Sequence, residues 1–247
     1  MHRDDSSMKP PPSAPAWSLA GRHATCLHGG LAAVLDLDAL RTGLAVLQPG
    51  ATAADHLLGV DLDAESRCVD AWCRGGDFTA VHETLDGGRL RATAMWRATP
   101  PWLDGTHGAW CRELVVSAQT PILETAPQIG VVADIAAERV APVAWAAGHL
   151  EPASPGVEPH GFLITVPGDR AVLFLVHPLD ARAATAAIVA GRARITATLF
   201  PSAVEKGVLL RSRVLAAIGP ARTATGPGSW AATIATAFAT SEPVLTT

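Results

Sequence analysis

The stretch GGDFTAVHETLDGGRLRATAMWR, Gly75 to Arg97, holds two runs of alternating character around Asp86-Gly87-Gly88. Asp-Gly and Gly-Gly steps between such runs mark a β-hairpin. A three-residue loop that pairs Leu85 with Arg89 sets Phe78 opposite Trp96, Ala80 opposite Ala94 and His82 opposite Ala92. The other face then carries Thr79 with Met95, Val81 with Thr93, and the opposite charges of Glu83 and Arg91. Such cross-strand pairs stabilise a sheet. A two-residue loop, with Glu83 opposite Leu90, segregates polarity less well. In either register, successive side chains leave opposite faces of a strand. The adjacent His82 and Glu83 are therefore not an acid–base pair, and His82 is expected buried or half-buried with a backbone partner.

The same pattern of short β-compatible runs and turn residues continues through the chain. His23 to Asp38 offers strands broken at Gly29-Gly30. Leu57–Leu62, Cys68–Arg74, Ala109–Gln119, Val131–Ala137 and Val143–Ala147 follow the same rule. Residues 151–159, rich in Pro, Gly and Ser, are expected to form a long loop. His160–Pro167 and Ala171–His177 form a hairpin across Gly168-Asp169. Arg192–Phe200 and Val208–Ile218 come next, with Arg211 and Arg213 on one face of the latter. Ala181–Ala190 is rich enough in alanine to compete for helix. Ser229 to Thr240 predicts one short helix, since Trp230, Ile234 and Phe238 recur every four residues. With 22 Gly and 19 Pro among 247 residues, few segments run long enough for a helical bundle. The spacing favours a large antiparallel β-sandwich, up to a supersandwich, with a short C-terminal helix. Residues 1–16, with Pro10 to Pro12, are expected to be a disordered leader, and 17–247 a single β-rich domain.

Bulk composition excludes several classes. The hydrophobic share of 49% against 17% charged residues is that of a chain with a substantial core. A net charge of −4 gives no surplus of Lys and Arg for phosphate neutralisation, so nucleic acid is not an expected partner. No apolar run is long enough for a membrane span. The N-terminal residues lack the apolar core of a signal peptide, so a soluble cytoplasmic protein is expected. The four cysteines, Cys26, Cys68, Cys73 and Cys111, are expected to be reduced and buried.

Motifs for cofactors and nucleophiles are missing: there is no GxGxxG after a strand, no GxxxxGK[ST] and no GxSxG. His23, Cys26 and His28 suggest a metal, but a strand puts Cys26 and His28 on one face and His23 on the other. Cys68 and Cys73, five apart, fall on opposite faces of a straight strand. No metal and no cofactor are therefore expected. Candidate ligand-binding residues lie at strand ends and turns: His160, His177, Asp180, Glu205 and Lys206, for which strand-end capping and turn chemistry are the plainer reading. Of seven tryptophans, Trp102 beside Pro100-Pro101 is the candidate for an exposed aromatic platform, with Trp72, Trp96 and Trp230 expected in the core.

The pattern RGGDFTAVHET, RATAMWRA, LVVSAQTPIL, FLVHPLD, EKGVLLRSRV and SEPVLTT, running in order from Val69 to Thr247, is similar to a group of uncharacterised bacterial all-β proteins. That resemblance carries no established activity. At the level of fold the chain resembles the large sandwich of galactose-mutarotase type. The paired histidines and acid of those sugar enzymes have no aligned counterpart here, so no catalytic residue is transferred. The leading expectation is a non-catalytic binding or interaction module of β-sandwich type, with carbohydrate or protein as partner. The alternative is a carbohydrate-active enzyme, an isomerase, lyase or hydrolase, with a cleft on a large sandwich. An enzyme should gather several of His160, His177, Glu205 and Lys206 in one pocket, whereas a binding module should show a grooved face with exposed Trp.

Overall fold

The Gly75–Arg97 hairpin is present in a computed structural model that describes residues 16–28, 31–47, 53–97, 109–126, 128–180, 183–200, 203–226 and 228–242. Its strands β7 (Asp77–Thr84) and β8 (Arg91–Arg97) pair Phe78 with Trp96, His82 with Ala92 and Glu83 with Arg91. Glu83 and Arg91 come within 3.8 Å. A one-residue slip of β8 against β7 would turn Trp96 out of the core while Phe78 and His82 stayed in it, which is why this register wins.

Two large antiparallel sheets dominate the fold. In spatial order, the eight-stranded sheet is β1 (Ala16–Ala20), β2 (His23–His28), β3 (Leu31–Asp36), β4 (Leu44–Val46), β5 (Asp55–Asp61), β11 (Ile129–Ala136), β17 (Arg192–Leu199) and β16 (Ala183–Val189). The nine-stranded sheet is β13 (His149–Pro152), β12 (Arg139–Ala146), β14 (Gly161–Val166), β15 (Arg170–Val176), β19 (Leu210–Pro220), β9 (Trp110–Gln119), β8, β7 and β6 (Ser66–Arg74). A small ribbon pairs β10 (Glu124–Thr125) with β18 (Val204–Glu205). The chain is thus mainly β with one short helix, as its turn spacing predicts. The leader lies outside the described residues, apart from Ala16, which opens β1.

The inner faces of the sheets share one apolar core, with Leu35, Leu57 and Ile135 from one side and Phe78, Trp96 and Phe174 from the other. Trp96 is fully buried, and its indole N–H donates to the Leu58 carbonyl of the opposite sheet at 3.1 Å. A buried indole needs such an acceptor. His82 enters the same interior, but neither ring nitrogen has a hydrogen-bond partner, contrary to the backbone partner expected for it. Burial is the main force lowering its pKa to about 4, so the ring is neutral.

Helix α1 (Trp230–Thr240) closes the outer side of the nine-stranded sheet. Ser229 caps it by accepting from the Ala232 amide at 3.1 Å. Trp230, Ile234 and Phe238, spaced as the sequence predicts, pack on Leu173, Leu175 and Leu215 of β15 and β19. Gly219 permits this seat: a β-carbon there would lie 2.6 Å from the Trp230 ring.

Three details differ from the expectations. The alanine-rich segment forms β16, an edge strand paired to β17, so tertiary pairing overrides its helix propensity where it is described. A bulge at Val69 shifts the β6 register between Cys68 and Asp70. The extra residue reverses the alternation, so Cys68, paired with His82, and Cys73, paired with Phe78, share a face. All four cysteines are unpaired, and Cys26 and Cys111 are buried, but Cys73 is exposed because β6 is an edge strand.

Candidate ligand-binding face

The outer face of the nine-stranded sheet has two halves. Helix α1 packs in one cluster with residues of β12, β14 and β15, with Leu215 and Ala217 of β19 and with Cys111 near the start of β9, and no residue of β6, β7 or β8 belongs to that cluster. There the sheet forms the floor of a cavity of about 700 Å³. The pairing places its residues in rows. One row runs Arg74, Asp77, Arg97, Glu113 across four neighbouring strands. The next runs Trp72, Thr79, Met95, Val115, Arg213. A third includes Thr93, Ser117 and Arg211. Alternation along each strand is what brings these polar groups to one face while Phe78, Trp96 and Leu114 face the core.

Across these rows runs a chain of charges. Arg97 Nε is 3.7 Å from Asp77, Arg97 Nη1 is 3.5 Å from Glu113, and Arg213 Nη1 is 3.6 Å from Glu113. Glu113 is fully buried, and Arg97 and Arg213 nearly so. Arg97 Nε and Nη1 make no hydrogen bond despite their burial. Burial raises the Asp77 pKa, and the Arg97 charge opposes that rise. Arg213 also closes the C-terminus of α1, donating to the Ser241 hydroxyl and the Glu242 carbonyl at 3.0 Å each. A cation there meets the negative end of the helix dipole. Burial lowers its pKa, while Glu113 and Asp180 favour the charged form.

Trp72 is 40% exposed at the edge of this face. It was expected in the core. It sits instead on edge strand β6, where its partner Thr79 points to the outer side, so the indole lies at the cavity rim. Trp96 and Trp230 are buried as expected. Trp102 lies outside the described residues.

The other candidates lie elsewhere. His177 and Asp180 come together in a turn locked to β19: the His177 amide donates to the Arg213 carbonyl at 3.0 Å, and the Arg213 amide donates to Asp180 Oδ2 at 3.0 Å. His177 Nδ1 accepts from the Leu179 amide at 3.3 Å, and its ring stands edge-on to Phe238. Burial leads the causes that bring its pKa to about 4, with Arg213 acting in the same sense. His160 Nδ1 accepts from the Trp145 amide at 3.1 Å, and burial lowers its pKa. Glu205 and Lys206 form an exposed turn in which the Lys206 amide donates to the Leu123 carbonyl at 3.1 Å. None of these five residues lines the cavity. Among the described residues, no group of three or more His, Cys, Asp or Glu side chains could hold a metal, and no helix is long and apolar enough to cross a membrane.

No family model matches the chain, and no curated protein sequence does. Among solved structures, a protein described as HI1317 aligns over 82% of this chain and 97% of its own, at 8% identity and a TM-score of 0.42. Heparinase III, the BT4657 gene product, aligns over 83% of this chain at 11% identity and a TM-score of 0.36. The chain spans about a third of that longer protein, 34% of its length. Likenesses at these scores carry no argument about activity, so the cavity has to speak through its own residues.

The residues that line it escaped the sequence reading for one reason. Thr79, Thr93 and Met95 were visible on the non-core face of the hairpin, and Arg211 on the corresponding face of its strand. Only the pairing of β9 with both β8 and β19 brings them into one concave surface.

Proposed function

We propose that the protein binds carbohydrate on the uncovered half of the nine-stranded sheet's outer face, without catalysing a reaction on it. The observation that carries this reading is Trp72: a flat indole at the rim of a concave floor that also presents Thr79, Thr93, Ser117 and Gln119. An aromatic plane takes the apolar face of a sugar ring, and hydroxyl and amide groups take its hydroxyls. The volume of about 700 Å³ is in the range of sites that enclose small ligands. Against an enzyme, Asp77 is the sole carboxylate among the described lining residues, and the other acid of its row, Glu113, is fully buried and held between Arg97 and Arg213. General acid–base chemistry on a glycoside ordinarily needs two such groups. The galactose-mutarotase plan is the fold we propose behind the two large sheets. Four unpaired thiols, one of them exposed, favour a reducing compartment and hence the cytoplasm.

A thermal-shift screen of mono- and oligosaccharides, followed by titration of the best binder, tests the reading. Trp72→Ala is expected to weaken binding about tenfold or more while leaving the unliganded melting temperature within a few degrees, because the side chain is exposed. No melting shift with any sugar, or full affinity in Trp72→Ala, would contradict it.

A further inference from the structure

A second hollow, of about 1160 Å³, lies beside α1 at the other end of the nine-stranded sheet, where β12 and β13 form its edge. Strand alternation makes the floor. Arg139, Ala141 and Val143 of β12 line it, with Leu163 of β14 opposite Ala141. Leu150 and Pro152 of β13 extend it, paired with Trp145 and Val143. The wall is α1, through Ala232, Thr233, Thr236 and Ala237. Trp230, Ile234 and Phe238 fill the space over β15 and β19, but these short neighbours leave the angle between helix and hairpin open. The hydroxyls of Thr233 and Thr236 donate to the Ser229 and Ala232 carbonyls at 2.9 Å each, so their protons are spent inside the helix. The middle of the hollow is thus apolar, and its volume is ample for a small ligand.

The two ends differ. Arg139 is exposed, and its guanidinium makes no ion pair or hydrogen bond. Glu151 is the sole acid among the described lining residues, and it lies against His149 Nε2 at 2.5 Å. It pairs with Ala144, five residues along β12 and about 17 Å from Arg139, too far to neutralise it. The trough runs about 20 Å from Arg139 to the level of Trp145 and Leu150, cationic at one end and apolar at the other.

From this placement we infer that the hollow binds a single-chain amphiphile with a carboxylate head, a fatty acid in chemical class. Its tail lies between α1 and the β12–β13 hairpin, and its carboxylate meets Arg139. Tail burial supplies most of the affinity, and the planar fork of arginine matches the head in two parallel hydrogen bonds. This site is separate from the Trp72 face and does not depend on the carbohydrate reading.

The test is calorimetric titration of the full chain with octanoate, decanoate, dodecanoate and decanol, and sedimentation with phosphatidylglycerol vesicles. Each added methylene is expected to tighten binding about threefold. Arg139→Gln, an exposed change that leaves folding intact, is expected to weaken decanoate about fivefold and decanol not at all. Ala232→Leu with Ala237→Leu fills the trough with good helix formers, and is expected to weaken decanoate at least tenfold while the melting temperature stays within a few degrees. No binding of any of the acids, or an affinity independent of chain length, would overturn the site. Unchanged decanoate affinity in Arg139→Gln, or an equal loss for decanol, would overturn the carboxylate head. Full affinity in the filled variant would put the tail elsewhere and contradict the assignment, as would binding to the vesicles with no free acid bound.

Discussion

Glu113→Ala is expected to lower folding stability by about 3–5 kcal/mol, the range for removing one partner of a buried ion pair. Glu113 is fully buried on β9 and meets Arg97 on one side and Arg213 on the other. Without it, two guanidinium groups remain in a region with little water. Arg213 keeps its bonds to the end of α1, but Arg97 keeps only the more distant Asp77 at 3.7 Å. Glu113→Gln keeps the shape and loses the charge, so it should recover only a minor part of the loss. A double-mutant cycle sharpens the expectation. Pairing Glu113→Leu with Arg97→Met should be less harmful than Glu113→Leu alone, since the orphaned charge then goes too. Urea unfolding midpoints measure both effects. A change under about 1 kcal/mol in Glu113→Ala would show that the charge row does not hold the floor of the cavity.

The second large effect is a loss of stability in acid. His82 and His177 are almost wholly buried, and both have pKa values lowered to about 4. The groups that act on His82 are Arg22 and Asp38, and on His177 Arg213 and the backbone at Phe238 and Ala239. An unfolded histidine titrates near 6.5, so between about pH 6.5 and 4 the unfolded chain binds more protons than the folded one. Stability from these groups is therefore complete above the unfolded value and falls as pH drops through that window, flattening below about 4. Each ring is expected to cost about 2 kcal/mol by pH 4.5, and the pair about 4. Urea midpoints at pH 7 and 4.5 for the wild type, His82→Gln, His177→Gln and the double variant provide the check. Each substitution should remove about half of the acid-dependent loss. An undiminished loss in the double variant would place the titrating groups elsewhere.

Much of the fold was legible because alternation is a local property. The facing of Phe78 with Trp96, and the separation of His82 from Glu83, follow from the period of a strand and a glycine turn. The seat of α1 follows from Trp230, Ile234 and Phe238 at steps of four. What was not legible depends on long-range pairing or on single irregularities. The bulge at Val69 has no strong local mark, yet it reverses which face Cys68 shares with Cys73. Trp72 looks like a core residue until β6 is known to be the sheet edge. The binding face is the extreme case. Asp77, Arg97, Glu113 and Arg213 are scattered over 137 positions of sequence, and only the order β19-β9-β8-β7 makes them a single chain of charges. The histidines His160 and His177 attract notice in the sequence as polar residues at strand ends, and in the structure they accept hydrogen bonds from nearby backbone amides.

The location of sugar binding can be read from one methyl group. The chain has three methionines, Met1, Met8 and Met95, and Met95 lies on the cavity floor between Thr79 and Val115. In protein labelled at the methionine methyls, titration with a sugar that raises the melting temperature should move the Met95 resonance, saturating with the same affinity as the heat signal, and Trp72→Ala should weaken both together. A sugar that binds while Met95 stays fixed would put the site on another surface and contradict the assignment of this face.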